Sequence, residues 1–417
     1  MQQIPTEIIS IGDELLYGQT LDTNSHWLRT ALTKIGSKVI QATTVGDKEQ
    51  AIIRALSAAE ERATIIITTG GLGPTQDDLT KQALVRYLNS SLVLYKQALT
   101  DIQRALQARG KVPTPADRAQ AMLPAHSSSI ANKLGTAPGM WLEQKDKVLV
   151  ALPGVPHEMK QMMQDTVLPR LRKHFDLPTI YHKTIHTIGI IESQLATVIK
   201  PWVAALPSHI HLAYLPDVGT VQLRLTTVGA HRAQLKQEVE GQVHKLQFWA
   251  APYIYGYDED TLEEVVGKLL KIRGKTLAIA ESCSGGYASQ LITRVPGSSV
   301  YYQGGIVPYQ NTAKRELLGI QEATLVQDGA VSKATVIAMA QQVRAKFQAA
   351  IGLASTGIAG PGGGSSAKPV GTVWIALADG HTTYTEQLQL GNDRFHNMQL
   401  TALSLLNLLR KVLSKEP

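Results

Sequence analysis

An α/β fold is predicted for most of this 417-residue chain. Three features point to it. Short β-branched runs alternate with amphipathic stretches, glycines stand where the runs end, and one intermediate stretch breaks the alternation. Strands that alternate with helices imply right-handed βαβ crossovers and a parallel sheet covered on both faces, a three-layer α/β/α arrangement. At roughly 150 residues per domain, the length suggests about three domains.

The first block, residues 1–173, opens with the run TEIISIG from Thr6. An amphipathic stretch follows from Asn24 to Ile35, then a second apolar run at Lys38–Thr44. The helical stretch KEQAIIRALSAAEER leads into the buried-type strand ATIIITTGG, and KVLVALPGVP repeats the strand-to-glycine pattern before a helix that ends near Lys173. In such sheets ligands bind beyond the carboxyl ends of the strands, where Gly70, Gly71 and Gly73 fall. Residues 174–257 change pattern: the strand TIYHKTIHTIG, a helix, two strands around HIHLAYLP and TVQLRLTT, and a helix HRAQLKQEVEGQVHKL. This βαββα order predicts a small α+β module.

The third block, residues 258–417, begins with Asp258-Glu259-Asp260-Thr261-Leu262-Glu263-Glu264, an acidic first turn that suits a helix dipole. Alternation then resumes with TLAIAES, a helix GGYASQLITRV, YQGGIVPY, further helices, AAIGLASTG, GTVWIALAD and a long final helix. That helix is apolar enough to predict burial between domains or subunits.

Composition excludes several classes. With 44% hydrophobic and 18% charged residues, the chain is neither disordered nor a membrane protein. The N-terminal segment meets Asp13 and Glu14 at once, so it reads as a strand and not as a signal peptide or span. The formal charge of +7 divides as +2, +3 and +2 over residues 1–170, 171–257 and 258–417. A balance spread this thinly favours small phosphorylated ligands over a nucleic-acid groove. The single cysteine, Cys283, excludes an intramolecular disulfide and a multi-cysteine zinc site and fits a cytoplasmic location.

Two loops carry chemistry. In the first, Gly70-Gly71-Leu72-Gly73-Pro74-Thr75-Gln76-Asp77-Asp78 lies between a strand and a helix. Its glycines let backbone amides approach a phosphate, and Asp77 and Asp78 are candidates to hold a hard divalent cation such as Mg²⁺. A tight turn with an Asp helix cap is the plainer alternative. Gly12-Asp13-Glu14, Asp22-Thr23-Asn24 and the turn Asn132–Gly139, with Lys133, could line the same site. His157-Glu158 lacks the second His of a zincin helix, since position 161 is Gln. His157 is read as a helix cap or a lining of the phosphate cleft.

In the second loop, a strand runs into Glu281-Ser282-Cys283-Ser284-Gly285-Gly286 and a helix, followed by Ser298-Ser299, Tyr309 and Lys314. A hydroxyl nucleophile needs a base, and a Lys kept neutral by burial can serve. Capping hydroxyls and a surface Lys are the bland alternative. The segment GPGGGSSAKPVG lacks the GK[ST] of a P-loop.

The motifs GGLGPTQDD, GDELL and LPGVPHEM resemble the molybdopterin-binding-like domain that opens proteins of the CinA family. AESCSGG, PGSSVYYQGGIVPYQNTAKRELLGI, STGIAGPGGGSSAKPVGTVW and NDR resemble that family's C-terminal domain, which is similar to nicotinamide-nucleotide amidohydrolases. The resemblance implies a bifunctional enzyme of pyridine-nucleotide salvage. Its C-terminal site would deamidate nicotinamide mononucleotide (NMN) with Ser299 as nucleophile, Lys314 as base, Tyr309 as proton relay and Ser282 as helper or competing nucleophile. Gly285, Gly286, Thr356, Gly357 and Arg394 would bind substrate, with no cofactor. The N-terminal site would hydrolyse ADP-ribose to AMP and ribose 5-phosphate. There Asp77, Asp78 and Glu14 would serve a divalent metal, and Gly70, Gly71, Gly73, Thr75, Asn24 and Lys133 would bind substrate.

The middle module would be KH-like, although no GxxG loop is evident, and a homodimer is implied by likeness alone. Two alternatives stay open: a regulatory, DNA-associated protein that uses the sites as sensors, and a first domain that binds a molybdopterin-type ligand without hydrolysing it.

Overall fold

The computed structural model describes residues 3–112, 114–144 and 146–415. It divides into two compact units, Met1–Tyr181 with Thr227–Lys236 and His182–Thr226 with Gln237–Pro417. Residues of the middle segment therefore fall in both.

In the first unit, strands β1 (Ile4–Ile11), β2 (Ser37–Val45) and β3 (Ile65–Thr69) form where β-branched residues cluster. A short ribbon pairs β4 (Leu92–Leu94) with β5 (Met122–Pro124). Strands β6 (Ser128–Ile130), β7 (Gly139–Gln144) and β8 (Lys147–Leu152) complete a six-stranded sheet in the order β2-β1-β3-β8-β7-β6. Four neighbours, β2, β1, β3 and β8, run parallel, while β7 and β6 pair antiparallel. The purely parallel sheet expected from alternation is thus corrected at one edge, because β7 and β8 follow each other too closely for a helical crossover.

Every residue of β3 is buried, which fits its run of three isoleucines, and the two threonines that end it hydrogen-bond carbonyls of the neighbouring β8 segment. Helix Glu49–Arg62 lays Ile52, Leu56 and Ala59 against one face of the sheet, in one cluster with Ile9 and Ile66. Leu28 and Leu32 of helix Thr23–Lys34 join Ile8, Ile65 and Ile67 on the other. The layers position a set of turns at the carboxyl ends of β1, β2, β3 and β8.

The middle segment forms β9 (Thr179–Ile188), β10 (Ile210–Asp217), β11 (Thr220–Gly229) and β12 (Ile254–Tyr257) in the order β10-β11-β9-β12. The fourth strand, β12, pairs antiparallel with β9 and extends the expected βαββα pattern to βαββαβ.

The C-terminal segment builds a five-stranded sheet, β14-β13-β15-β16-β17, from β13 (Leu277–Glu281), β14 (Tyr302–Ile306), β15 (Ile351–Gly357), β16 (Thr372–Ala378) and β17 (Thr383–Gln389). The first three are parallel, and β16 and β17 return antiparallel. Strand β17 was not expected, because its polar sequence TYTEQLQ suits a half-exposed edge and carries no apolar run. Helix Leu262–Ile272 starts with a capping box between Thr261 and Glu264. The final helix, Arg394–Lys415, buries Leu405, Leu406, Leu409 and Leu413 in the same cluster as Val266 and Leu270. Its apolar face is therefore covered within its own unit. No helix among the described residues is long and apolar enough to cross a membrane.

Candidate functional site

Strand β13 delivers Ser282 directly beyond its carboxyl end. The amide of Ser282 donates to Ser355 O of the adjacent β15 at 3.0 Å. The chain then turns through Gly285 (φ 63°) and Gly286 (φ 95°) into helix Tyr287–Thr293. The φ of Gly286 is a left-handed value that glycine tolerates best. Buried Glu281 closes the turn by accepting from Ala288 N (3.0 Å), Ser289 N (2.8 Å) and Ser289 Oγ (2.6 Å).

Lys314, from helix Asn311–Leu318, is only 2% exposed and reaches the same turn. Its Nζ lies 3.1 Å from Ser282 Oγ, 2.9 Å from Pro308 O and 3.3 Å from Tyr309 O. Burial pushes the ammonium below its ordinary range. Nζ donates to all three oxygens; in the neutral amine two N–H bonds would serve the two carbonyls and leave one lone pair. That lone pair can accept the Ser282 hydroxyl proton.

Lys314 therefore bonds Ser282, and the pairing expected with Ser299 is not seen. Ser299 sits in the short turn Ser298–Val300 after Gly297 and is exposed. Tyr309 also departs from expectation: its carbonyl, not its phenol, meets Lys314, while its hydroxyl accepts from Arg394 at 2.5 Å. Arg394 donates in addition to Gly360 O at 2.7 Å.

Thr356 is buried and spends its hydroxyl on Ala330 O at 2.7 Å. A Cβ at Gly357 would stand 2.6 Å from Val373. Both therefore shape the strand end that a substrate would approach. Cys283 is buried, and burial raises its thiol to about 11, which leaves it protonated.

In the first unit a cavity of about 390 Å³ lies beyond the strand ends. Gly12, Glu14, Gly70, Gly71, Gly73, Asp77, Asp78, Gly154 and Glu158 are among its lining. A Cβ at Gly70 would fall 2.1 Å from Ile11 O, so the β3 turn can close on β1 only with glycine.

Asp77 is exposed on the cavity rim. Asp78 instead accepts from Gly73 N (2.8 Å), Thr75 N (2.9 Å) and Thr75 Oγ1 (2.5 Å). Asp78, expected as a metal residue, and Thr75, expected as a ligand residue, here brace the glycine loop through these bonds, and Asp78 also lines the cavity. Lys133 pairs with Asp165 at 2.7 Å and is outside the cavity lining, so its phosphate contact is not seen. Asn24 lies behind the wall, where its Nδ2 joins Thr69 Oγ1 (3.1 Å) to Gly154 O (2.7 Å).

Two acidic residues in the lining escaped sequence reasoning. Asp47 ends β2 as Asp13 ends β1. The two exchange bonds, Asp13 N to Asp47 Oδ2 at 2.9 Å and Asp47 N to Asp13 Oδ1 at 3.3 Å. The repeated pattern Ile11-Gly12-Asp13 and Val45-Gly46-Asp47 was the available signal. Burial raises the Asp47 carboxyl; the bond from Asp13 N partly offsets the rise, and the charges of Asp13, Glu14 and Asp78 add to it. Glu158, beside the rejected zincin His, lines the cavity and accepts from Asn132 Nδ2 at 2.7 Å. His157 is exposed and absent from the lining, and helix Pro156–Met162 has no side-chain cap, so neither expected role for His157 is seen. Among the described residues no three His, Cys, Asp or Glu side chains already form a metal-ligand set.

Comparison with known proteins agrees with this architecture. Residues 7–173 match the probable molybdopterin binding domain family, residues 182–256 the damage-inducible protein CinA KH domain, and residues 259–413 the CinA C-terminal domain. The chain is 51% identical over 420 residues to a CinA-like protein of Amoebophilus asiaticus, covering 98% of this chain and 99% of that protein. It is 43% identical to a putative competence-damage inducible protein of Halothermothrix orenii, covering 95% and 96%. Among solved structures, the protein CinA with unknown function from Thermoplasma acidophilum matches at 30% identity and a TM-score of 0.37, covering 41% of this chain and 97% of that one.

Proposed function

The chain belongs to the CinA family, and on that basis we propose that it is a two-site hydrolase of pyridine nucleotides. The C-terminal site would convert NMN to nicotinate mononucleotide and ammonia. The observation that carries this reading is the buried Lys314 with its amine on Ser282 Oγ.

In the proposed mechanism Ser282 Oγ attacks the carboxamide carbon while Lys314 takes the hydroxyl proton. Collapse of the tetrahedral adduct breaks the C–N bond, Lys314 returns the proton to the leaving nitrogen, and ammonia departs. Water, deprotonated by Lys314, then attacks the acyl-serine, and the proton returns to Ser282. Backbone amides of the Ser284–Gly286 turn would steady the oxyanion, Gly285 N excepted, since it donates to Ser282 O at 3.2 Å. Arg394 is the natural partner for the 5′-phosphate, because its planar fork matches phosphate geometry. Replacing Ser282 and Ser299 singly by Ala and following ammonia release from NMN tests the assignment. Loss of at least about 10⁴-fold is expected for Ser282→Ala and near-full activity for Ser299→Ala. The reverse pattern would restore Ser299 as nucleophile.

The N-terminal site would cleave the diphosphate of ADP-ribose, with a divalent cation as its cofactor. The cavity residues fit such a cation, since Asp47, Glu14, Asp77 and Glu158 bring carboxylates to a space that must accept an anionic substrate. Mg²⁺ needs only one or two protein carboxylates when substrate phosphates supply further oxygens. A missing preformed ligand set is compatible with that mode. When bound, the cation would neutralise charge developing on the phosphates. The chain's own part is to hold the phosphates at the Gly70–Gly73 amides and keep carboxylates on one side of them. The molybdopterin-binding match over residues 7–173 favours a second reading, binding of a related phosphorylated ligand without hydrolysis.

A further inference from the structure

Asn397 lies in the first turn of the final helix, three residues beyond Arg394, and is 1% exposed. Its Nδ2 donates to Ala359 O at 3.0 Å and to Gly391 O at 2.8 Å. Two carbonyl acceptors fix which way the amide faces, because the flipped form would set oxygen against oxygen. That orientation leaves the buried Oδ1 with no partner. Such an atom is costly, and its persistence calls for a reason beyond filling space.

The contacts of Arg394 supply one. Asn397 holds the carbonyl of Ala359, and Arg394 holds the next carbonyl, that of Gly360, at 2.7 Å. Neighbouring carbonyls of one loop are therefore gripped by two side chains from a single helical turn. The second Asn397 bond, to Gly391, ties in the segment that leaves β17 just before Arg394. Position 360 calls for glycine, since its φ is 91° and a Cβ there would stand 2.6 Å from Val370. Where Asn397 sets this loop, the anchor for the Arg394 guanidinium is set too.

We propose that Asn397 is a positioning residue that aims Arg394 at the phosphate of the substrate. The proposal rests on the amidase reading given above. Its consequence is selective: Asn397 contributes to recognition of a phosphorylated substrate and leaves chemistry at the carboxamide unaltered.

The test compares NMN with nicotinamide riboside, which lacks the phosphate, on wild type, Asn397→Ala, Asn397→Ser, Arg394→Ala and the Arg394→Ala/Asn397→Ala double variant. The ratio of kcat/KM for the two substrates, taken on one preparation, does not depend on the fraction of folded protein. A partly unstable variant therefore still reports. Asn397→Ala is expected to lower the ratio about 10-fold through KM, and Arg394→Ala up to about 100-fold. The double variant should be no lower than Arg394→Ala alone, because the residues act in series. Asn397→Ser, which can still donate one hydrogen bond, should fall between wild type and Ala. An unchanged ratio in Asn397→Ala, or effects that add in full in the double variant, would overturn the proposal. Wild-type protein that releases no ammonia from NMN would overturn the site reading and the proposal with it.

Discussion

The two glycine turns stand at equivalent places, each beyond the carboxyl ends of parallel strands, yet they solve opposite electrostatic problems. The N-terminal turn collects carboxylates around an open cavity and leaves several of them at its surface. The C-terminal turn draws one lysine out of water and gives it a hydroxyl and two carbonyls as company. Crowded carboxylates beside a phosphate site call for a cation, whereas a buried amine relieves its own burial by giving up a proton. On the proposed reading, the same backbone device would serve metal-assisted phosphate chemistry in one case and amine-assisted acyl transfer in the other.

The sharpest way to break this contrast is at Lys314. Lys314→Met is expected to lower NMN deamidation by about 10³-fold or more, with ammonia release as the measurement. In the wild type the rate should rise with pH through the folded-state pKa of Lys314 and then level, since the amine must be neutral to accept a proton. Stability has the same sign. The unfolded lysine titrates near 10.5 and the folded one lower, so the unfolded state binds more protons in that window and stability grows as pH rises through it. Chemical denaturation of Lys314→Met across the window should lose that slope. A pH-independent wild-type rate would remove Lys314 as the base.

The next largest effect concerns the cation. A chelator is expected to abolish AMP release from ADP-ribose, with recovery on added Mg²⁺, while ammonia release from NMN continues. Loss of both products on chelation would erase the distinction between the sites. Within the N-terminal loop, Asp78→Ala should cost more than a bracing bond alone suggests. It frees the amides of Gly73 and Thr75 together, and a destabilisation of about 1–3 kcal/mol is expected by thermal unfolding. Asp77→Asn, exposed and without such bonds, should leave stability near wild type and lower AMP release.

Much of this architecture was legible because its signals are periodic or local. Strands such as Ile65–Thr69 and Leu277–Glu281 are buried throughout and open with apolar runs, and both candidate turns were marked by glycine. What escaped depended on which partner each side chain finds once the chain is folded, whether near or far in sequence. Strand β17 is a polar edge whose pairing with β16 decides its conformation. Asp78 carries bonds from its own loop that its acidic pair with Asp77 does not announce, and Lys133 looks like a phosphate contact until Asp165 meets it. The choice between Ser282 and Ser299 as partner of Lys314 lay beyond spacing altogether. It depends on β13 and helix Asn311–Leu318 placing their ends together.

The smallest effect is expected at the one thiol of the chain, and it isolates which neighbour of the turn acts. Cys283 adjoins Ser282, so a nucleophilic thiol would mimic the serine in any inactivation by alkylating agents. Burial and the nearby Glu281 carboxylate both hold Cys283 protonated, and the thiol is raised to about 11. At pH 8 almost no thiolate is then present, and reaction with iodoacetamide in the folded protein should be far slower than in denaturant. Cys283→Ala should keep deamidation within about twofold of wild type, since the substitution removes one sulfur from a packed site and no reacting group. Loss of activity in Cys283→Ala comparable with that of Ser282→Ala would make the sulfur, and not the hydroxyl beside it, the atom that Lys314 serves.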